Sequence, residues 1–142
     1  MATDDDRAEL LRRAITATAE SEAEGLHEIF HEDVTVWTPT MELSSRDDLA
    51  AELRARDEAF ADLDVDILAT DVVGDRGYAE WEATLTHTGV LTVDDVVVDA
   101  TGEALTLKGV TVAEFSGDHI VALRQYWDES DMLAALGVLP PG

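Results

Sequence analysis

An aspartate beside a large aromatic residue is the strongest candidate for chemistry in this sequence. Asp128 directly follows Trp127 at the end of a mostly apolar segment that begins at His119. A carboxyl group desolvated by an aromatic wall has a raised pKa, which suits proton transfer at a carbon next to a carbonyl. Two alternatives stay open. Asp128 is also a good cap for a helix starting at Glu129, and Asp131, one helical turn later, is a rival acid/base group.

Alternation along a predicted strand adds His87 as a second polar candidate. Between Tyr78 and Leu85 the apolar phase contains Trp81, and the same phase places His87 on the inward face. A histidine at that position can orient a substrate or share a proton with Asp128. The other interpretation is a structural histidine whose hydrogen bonds are satisfied at the strand end.

The last predicted strand contributes an amide and part of an aromatic lining. In the segment from His119 to Trp127 the more apolar phase contains Gln125, and an inward amide needs hydrogen-bond partners. Aromatic side chains from several segments are predicted to line one cavity for a flat apolar ligand. The predicted substrate-binding residues are Trp37, Phe60, Trp81, Gln125 and Trp127.

Metal and cofactor chemistry is not indicated by the sequence. His27 and His31 are four residues apart on a possible helix, but no third-ligand motif follows them. The chain has no Cys, no phosphate-cradling glycine loop and no nucleophile elbow. We therefore expect neither a metal nor a cofactor. Lys108, the only lysine, is interpreted as an outward salt-bridged group rather than a catalytic amine.

The elements that must position these residues fall into two halves. Helices are predicted from about Arg7 to Glu20, from Ala23 to Phe30 and from Arg46 to Phe60, the last with Ser44 as its N-cap. Period-two segments predict strands over 33–37, 63–70, 78–87, 96–99, 105–115 and 119–127, with a short helix over 129–136. Helices followed by antiparallel strands predict an α+β fold, with a curved sheet over N-terminal helices, in one domain spanning 1–142.

Charge and hydropathy limit the possible partners. The chain carries 32 acidic and nine basic side chains, a net charge of −23. Such a charge destabilises a compact chain by self-repulsion and is typical of halophilic proteins, the alternative being an acidic protein of an ordinary cytoplasm. Nucleic acid and anionic membranes are poor partners because basic clusters are missing. Without a signal peptide or membrane span, a soluble cytoplasmic protein is expected.

The second face of the predicted sheet is too apolar for open solvent. Val110, Val112 and Ala122 belong to this face, and large exposed apolar patches mark interfaces. Because two-fold symmetry is the commonest solution, the sequence predicts a homodimer.

Four segments, in the same order, resemble the SnoaL-like polyketide (ester) cyclase family of the nuclear-transport-factor-2-like superfamily. They are Phe30–Val34, the Thr-His-Thr-Gly turn at Thr86–Gly89, the strand and hairpin over Leu107–Ile120, and Tyr126-Trp127-Asp128 with the closing Leu136-Gly137. The resemblance covers about residues 20 to 139 and implies a cone-shaped α+β half-barrel. It also implies one pocket between the concave sheet and the helices, with an aspartate near the last strand's end as acid/base, which matches Asp128.

The resemblance implies a fold shared in outline with ketosteroid isomerase and limonene epoxide hydrolase. This chain differs from limonene epoxide hydrolase at the position of a catalytic residue. The last strand of that enzyme carries a catalytic aspartate where this chain has Gln125, which cannot take a proton from water. Epoxide hydrolysis by that mechanism is therefore not expected.

Three functions remain for a pocket of this kind. The first is a cofactor-independent cyclase, isomerase or lyase acting on a hydrophobic carbonyl compound, with Asp128 as acid/base and with His87 and Gln125 as polar helpers. The second is a noncatalytic protein that binds an apolar metabolite. The third is a dimerisation module with a vestigial cavity.

Overall fold

The computed structural model describes residues 3–20, 23–39, 41–93 and 96–127 of the 142-residue chain. Helix α1 spans Asp4–Glu20, and its start is fixed by reciprocal bonds between Thr3 and Asp6. The Asp6 backbone N–H donates to Thr3 Oγ1, and the Thr3 backbone N–H donates to Asp6 Oδ2, each over 3.1 Å. Thr3 and Asp6 thus form a variant of the capping box. These hydrogen bonds lower the pKa of Asp6.

The next elements alternate between helix and strand. They are α2 (Ala23–Ile29), β1 (Phe30–Thr38), β2 (Met41–Leu43) and α3 (Arg46–Ala59). The prediction of Ser44 as the N-cap of α3 is wrong by one residue. Ser45 has the extended backbone of a cap, and its side chain accepts the backbone N–H of Asp48 over 3.1 Å.

Long strands make up the second half of the chain. They are β3 (Phe60–Val73), β4 (Arg76–His87), the short β5 (Leu91–Val93) and β6 (Val96–Val98), β7 (Ala104–Ser116) and β8 (His119–Trp127). The hairpin between β7 and β8 turns at Gly117, whose φ of +57° favours glycine. The predicted helix over 129–136 lies outside the described residues.

Six strands form one mixed sheet in the order β2-β1-β8-β7-β4-β3. Strand β1 runs parallel to β8, and the other neighbours are antiparallel. Register shifts in three of the pairings bend and twist the sheet. The α+β class and the curved, unclosed sheet over N-terminal helices are as predicted, whereas β5 and β6 form a separate two-stranded sheet.

The core lies between the concave face of the sheet and the helices. Helix α1 contributes Leu11 and Ala14, and β1 contributes Val34 and Val36, all of them buried. Helix α3 adds Leu49 and Leu53. Among the helices that the structure describes, none is long and apolar enough to cross a membrane.

Candidate functional site

A cavity of about 470 Å³ opens between the concave face of the sheet and helices α1 and α3. This volume lies within the range of small-molecule sites. Most of its lining is apolar, from both the helices and the strands: Ile15, Val36, Leu49, Leu53, Phe60, Leu63, Val65, Ala83, Leu85, Leu107 and Leu123. Such walls favour an apolar ligand because they remove its surface from water.

Two indole rings form the aromatic wall on the sheet side. Trp81 on β4 and Trp127 on β8 both line the cavity, with ring centroids 6.5 Å apart and an angle of 60° between the planes. Between them runs β7, where Gly109 pairs with both residues. A Cβ atom on Gly109 would come within 2.5 Å of the Trp81 ring and of the Tyr126 carbonyl oxygen. The missing side chain is therefore what lets the Trp81 indole lie across β7.

One neutral hydrogen-bonding cluster interrupts the apolar walls. The Trp81 Nε1–H donates to Thr111 Oγ1 over 2.8 Å, and Gln125 Nε2 donates to the same oxygen over 3.4 Å. Thr111 is fully buried. The indole Nε1–H of Trp127 is also buried, but it finds no acceptor among the residues that the structure describes. The Trp127 N–H is therefore a buried donor that is shielded from the open volume of the cavity as well as from the described part of the protein.

Thr111, which was not predicted from the sequence, does not line the cavity itself but accepts hydrogen bonds from two side chains that do, Trp81 and Gln125. It lies in the inward phase of β7 between buried Leu105 and Phe115. The same parity argument that was used for β4 and β8 would have singled it out as a polar residue on an otherwise apolar face.

His87 is buried as predicted but does not line the cavity. It is fully inaccessible, and its ring lies 5.4 Å from that of Phe60, which does line the cavity. The Thr101 backbone N–H donates to His87 Nδ1 over 3.2 Å, and Thr101 Oγ1 lies 3.0 Å from the same nitrogen. Nδ1 is thus an acceptor, and the ring proton is on Nε2, which has no partner among the described residues.

Trp37 was predicted to line the cavity, and this prediction is wrong. The inward residues of β1 are Val34, Val36 and Thr38, so Trp37 points to the opposite face of the sheet. There it is 39% exposed and packs against Tyr126, with ring centroids 5.2 Å apart. The other four predicted lining residues, Phe60, Trp81, Gln125 and Trp127, do lie in the cavity wall.

Charged residues reach the cavity from α3. Glu52, Arg56 and Glu58 belong to its lining. The Arg56 guanidinium donates to the carbonyl oxygens of Thr18 and Ala19 over 2.7 and 3.1 Å, at the C-terminal end of α1. Burial lowers the pKa of Arg56, although the neighbouring carboxylate opposes this effect. Arg56 thus ties α3 to the last carbonyls of α1, as basic side chains commonly do at a helix end.

The remaining predicted residues lie elsewhere. Asp128 and Asp131 are outside the described residues. His27 lies in α2 but His31 lies in β1, so the two do not share a helix face. In the described part of the chain, no group of three or more His, Cys, Asp or Glu side chains could hold a metal ion. Lys108 is exposed opposite Glu82 across the strands, without an ion pair to any described residue.

Sequence and structure comparisons agree with this architecture. Residues 11–123 match the family model described as the SnoaL-like domain. No match to a curated protein was found.

Several solved structures share the fold at low sequence identity. A candidate SnoaL-like polyketide cyclase from Jannaschia superposes with a TM-score of 0.84 at 14% identity, covering 99% of this chain and 97% of its own. A candidate hydroxylase from Streptomyces galilaeus gives a TM-score of 0.79 at 21% identity, with coverages of 99% and 86%. An epoxide hydrolase of the limonene epoxide hydrolase type from M. tuberculosis gives 0.73 at 14%, with coverages of 94% and 90%. At these identities the likeness concerns the fold.

Proposed function

Because the chain belongs to the SnoaL-like domain family, we propose that its cavity binds a hydrophobic carbonyl compound and catalyses cofactor-independent proton transfer on it. The observation that carries this proposal is the lining, which is mostly apolar and aromatic and contains the neutral polar groups of Trp81 and Gln125, both bonded to the Thr111 hydroxyl behind the wall. Such a site holds a flat apolar body and orients it by a few polar contacts. Orientation decides which C–H bond faces a base, which is the main requirement of this chemistry.

The proposed reaction begins with removal of a proton from the carbon next to the carbonyl group. The C–H electron pair becomes a C=C bond and the carbonyl π pair moves onto oxygen, which gives an enolate. In an isomerisation the proton returns to another carbon of the conjugated system. In a cyclisation the enolate carbon bonds to a second carbonyl carbon of the same molecule, and that oxygen takes the proton. No oxidant, reductant or co-reactant is needed.

Asp128 is the proposed acid/base group, and Asp131 is its rival. The support for Asp128 is its place after Trp127, which matches the aspartate that the family carries near this strand end. Gln125 is proposed to contact the substrate from the cavity wall. Because the ring of His87 is buried behind Phe60, we assign it a supporting role without direct contact to the substrate.

A noncatalytic binding protein for an apolar metabolite is the second candidate. It is favoured because the β8 residues in the described lining are neutral and offer no acid/base group. The carboxylates of that lining, Glu52 and Glu58, are both on α3. A dimerisation module with a vestigial cavity has less support, because about 470 Å³ of apolar cavity remains open.

The test is the exchange of the α-protons of 2-tetralone, a neutral bicyclic ketone, in D₂O followed by NMR. We expect the protein to accelerate exchange, and we expect Asp128→Asn to lower the catalysed rate by about 10²–10⁴-fold, the usual contribution of a general base. Asparagine caps a helix about as well as aspartate, so the variant should keep its stability.

The control variants are Asp131→Asn and Asp128→Ala. Full exchange activity in Asp131→Asn supports Asp128, whereas the reverse pattern would show that Asp131 is the base. Asp128→Ala should lose activity and also about 1 kcal/mol of stability through the lost cap. Tight binding of 2-tetralone without exchange would favour the noncatalytic candidate, and the absence of both would contradict the proposal.

A further inference from the structure

The only side-chain carboxamide of the chain lies in the cavity wall. The sequence has one Gln, Gln125, and no Asn, and the structure places this residue among the apolar and aromatic side chains of the lining. Its Nε2 atom donates to Thr111 Oγ1 over 3.4 Å, whereas its Oε1 atom has no hydrogen bond to any described residue. One end of the amide is therefore bonded and the other is not.

The unbonded Oε1 atom is open to the cavity. In the described part of the chain, the buried side-chain nitrogen and oxygen atoms that lack a hydrogen bond all lie on other residues, Trp127 among them. Gln125 is half-buried and lines the cavity. Its Oε1 atom therefore has accessible surface, and a ligand in the cavity can reach it.

Two hydrogen bonds to one hydroxyl fix which end of the amide faces the cavity. Thr111 is fully buried and pairs with Gln125 across β7 and β8. Its oxygen accepts the Trp81 indole N–H over 2.8 Å and the Gln125 N–H over 3.4 Å. A hydroxyl oxygen has two lone pairs, and an indole nitrogen can only donate. This oxygen thus serves as an acceptor for both residues, which holds the amide nitrogen at the wall and leaves the amide oxygen toward the open volume.

The open group is a neutral acceptor, and its surroundings favour a neutral donor. The hydroxyl group in the described lining, that of Thr18, is bonded to carbonyl oxygens of its own helix over 2.8 and 3.0 Å. The carboxylates of the lining, Glu52 and Glu58, belong to exposed residues on α3. An ammonium group against Gln125 would be removed from water beside a neutral oxygen, which costs more than burying a hydroxyl group that gains a hydrogen bond.

We infer that Gln125 Oε1 accepts a hydrogen bond from a hydroxyl group of a neutral ligand, so that the cavity selects hydroxyl-bearing compounds. The inference rests on the proposed function and narrows its substrate to a hydrophobic carbonyl compound that also has a hydroxyl group. The aromatic wall holds the flat body of such a ligand, and Gln125 fixes its rotation within the cavity. Thr111 is a positioning residue, because it acts on the ligand only through the Gln125 amide.

The experiment compares three ligands with the same ring system: 2-naphthol, 2-methoxynaphthalene and naphthalene. The naphthol has a hydroxyl donor, the ether has an oxygen but no donor, and naphthalene has neither. The measured quantity is the Kd of the ether divided by the Kd of the naphthol. We expect Gln125→Met, which keeps an unbranched side chain without the amide, to lower this ratio roughly three- to tenfold, as for one neutral hydrogen bond. The Kd of naphthalene should change by less than about twofold.

Two variants of Thr111 form a matched pair for its positioning role. Thr111→Ser keeps the hydroxyl group and should keep the native ratio. Thr111→Val keeps the shape of the side chain but releases the amide, which can then turn either end toward the ligand, so the ratio should fall toward that of Gln125→Met. Equal ratios in the serine and valine variants would overturn the positioning role.

A second measurement uses the native chain and does not depend on a variant that folds. Because Gln125 has the only side-chain carboxamide, its Cδ resonance is identified in an NMR spectrum by correlation with that group. 2-Naphthol should shift this resonance further downfield than 2-methoxynaphthalene, which has the same aromatic rings. Equal shifts, an unchanged ratio in Gln125→Met, or a native preference for the ether that this variant abolishes would overturn the inference and leave the exchange of 2-tetralone protons unaffected. Binding of none of the three compounds would overturn the proposed function and the inference together.

Discussion

The surroundings of His87 indicate what a fully buried histidine does in this fold. Besides its contacts with Thr101, its backbone N–H donates to the carbonyl of Glu103 over 2.9 Å, and its carbonyl accepts from Gly102 over 2.8 Å. One residue thus fixes the segment that returns to β7. This geometry favours anchoring over the alternatives of orienting a substrate or sharing a proton with Asp128, and the imidazole packs against Phe60, with ring centroids 5.4 Å apart.

The anchoring role predicts different outcomes for two substitutions of His87. In His87→Asn the side-chain oxygen can occupy the place of Nδ1 and still accept the Thr101 N–H, whereas His87→Leu leaves that donor without a partner. We expect Leu to cost about 1–3 kcal/mol more than a variant that keeps the bond. Urea unfolding measures the difference, and amide hydrogen exchange should show Thr101 protected in Asn but not in Leu. Equal protection in both variants would exclude the anchoring role.

Strand parity located most site residues, and its limits are physical. It predicted the inward positions of Trp81 and His87 because β4 alternates clearly between buried and exposed residues, and that of Gln125 because one phase of β8 is more apolar than the other. Along β1 the same alternation assigns Trp37 to the outer face, whereas the prediction for Trp37 rested on its aromatic ring alone. The Trp37 ring instead covers Tyr126 on the outer face, and hydrophobicity alone does not tell these two burial sites apart.

Helix α3 positions part of the cavity wall, and its start depends on one hydroxyl. The Ser45 Oγ accepts the Asp48 backbone N–H over 3.1 Å, while the neighbouring Ser44 is exposed and has no bond of this kind. The two adjacent serines form a matched pair. We expect Ser45→Ala to destabilise the protein by about 1 kcal/mol and Ser44→Ala to have almost no effect. Thermal unfolding of both variants checks this, and a larger effect at Ser44 would contradict the assigned cap.

Elements stabilised by local pattern were predictable, and pairings between distant segments were not. Helix α3 and the β7–β8 hairpin follow from capping residues, periodicity and a turn glycine. The parallel pairing of β1 with β8 joins segments more than 80 residues apart, and no periodicity in either strand specifies that partner. Strands β2 and β5 were not predicted, because three residues are too few to establish a period, whereas the equally short β6 is a run of valines, which favour strands.

The outer face of the sheet remains the basis for a predicted homodimer. Four large side chains on neighbouring strands are between 37% and 45% exposed there: Trp37, Tyr78, Val110 and Tyr126. Val112 contributes less than the sequence implied because it is only 9% exposed. An apolar group of this kind is typical of an interface between copies of a chain.

A charge placed within this apolar face should dissociate the dimer. We expect a dimer mass for the native chain at high salt and a monomer mass for Val110→Arg, measured by light scattering at micromolar concentration. Val73→Arg is the matched control, because it introduces the same charge outside this group of four side chains. Val73 is 76% exposed at the end of the edge strand β3. A monomeric native chain, or equal dissociation by both variants, would rule out this face as the interface.

At the scale of the whole molecule, electrostatic repulsion is the dominant unusual feature. The accessible surface is 7892 Å² and the chain has 32 acidic side chains, so neighbouring carboxylates are on average about 16 Å apart. Six of the nine basic residues already pair with a carboxylate in the described part of the chain. On β3 the outward positions include Asp62, Asp64 and Asp66, a row of like charges along an edge strand, which also discourages pairing with another sheet.

This repulsion predicts that the stability of the fold rises with salt. At 0.1 M salt the Debye length is about 10 Å, so acidic neighbours still repel, and near 1 M it is about 3 Å and they do not. We expect the thermal midpoint to increase from 0.1 M to 2 M KCl, and we expect the double variant Asp64→Asn, Asp66→Asn to be more stable than the native chain at low salt, with a smaller salt response. Sucrose at matched osmolality is the control, because excluded solutes stabilise folded proteins without screening charge. A flat KCl response, or one that sucrose reproduces, would show that charge repulsion does not limit stability and would remove the physical basis for a halophilic origin.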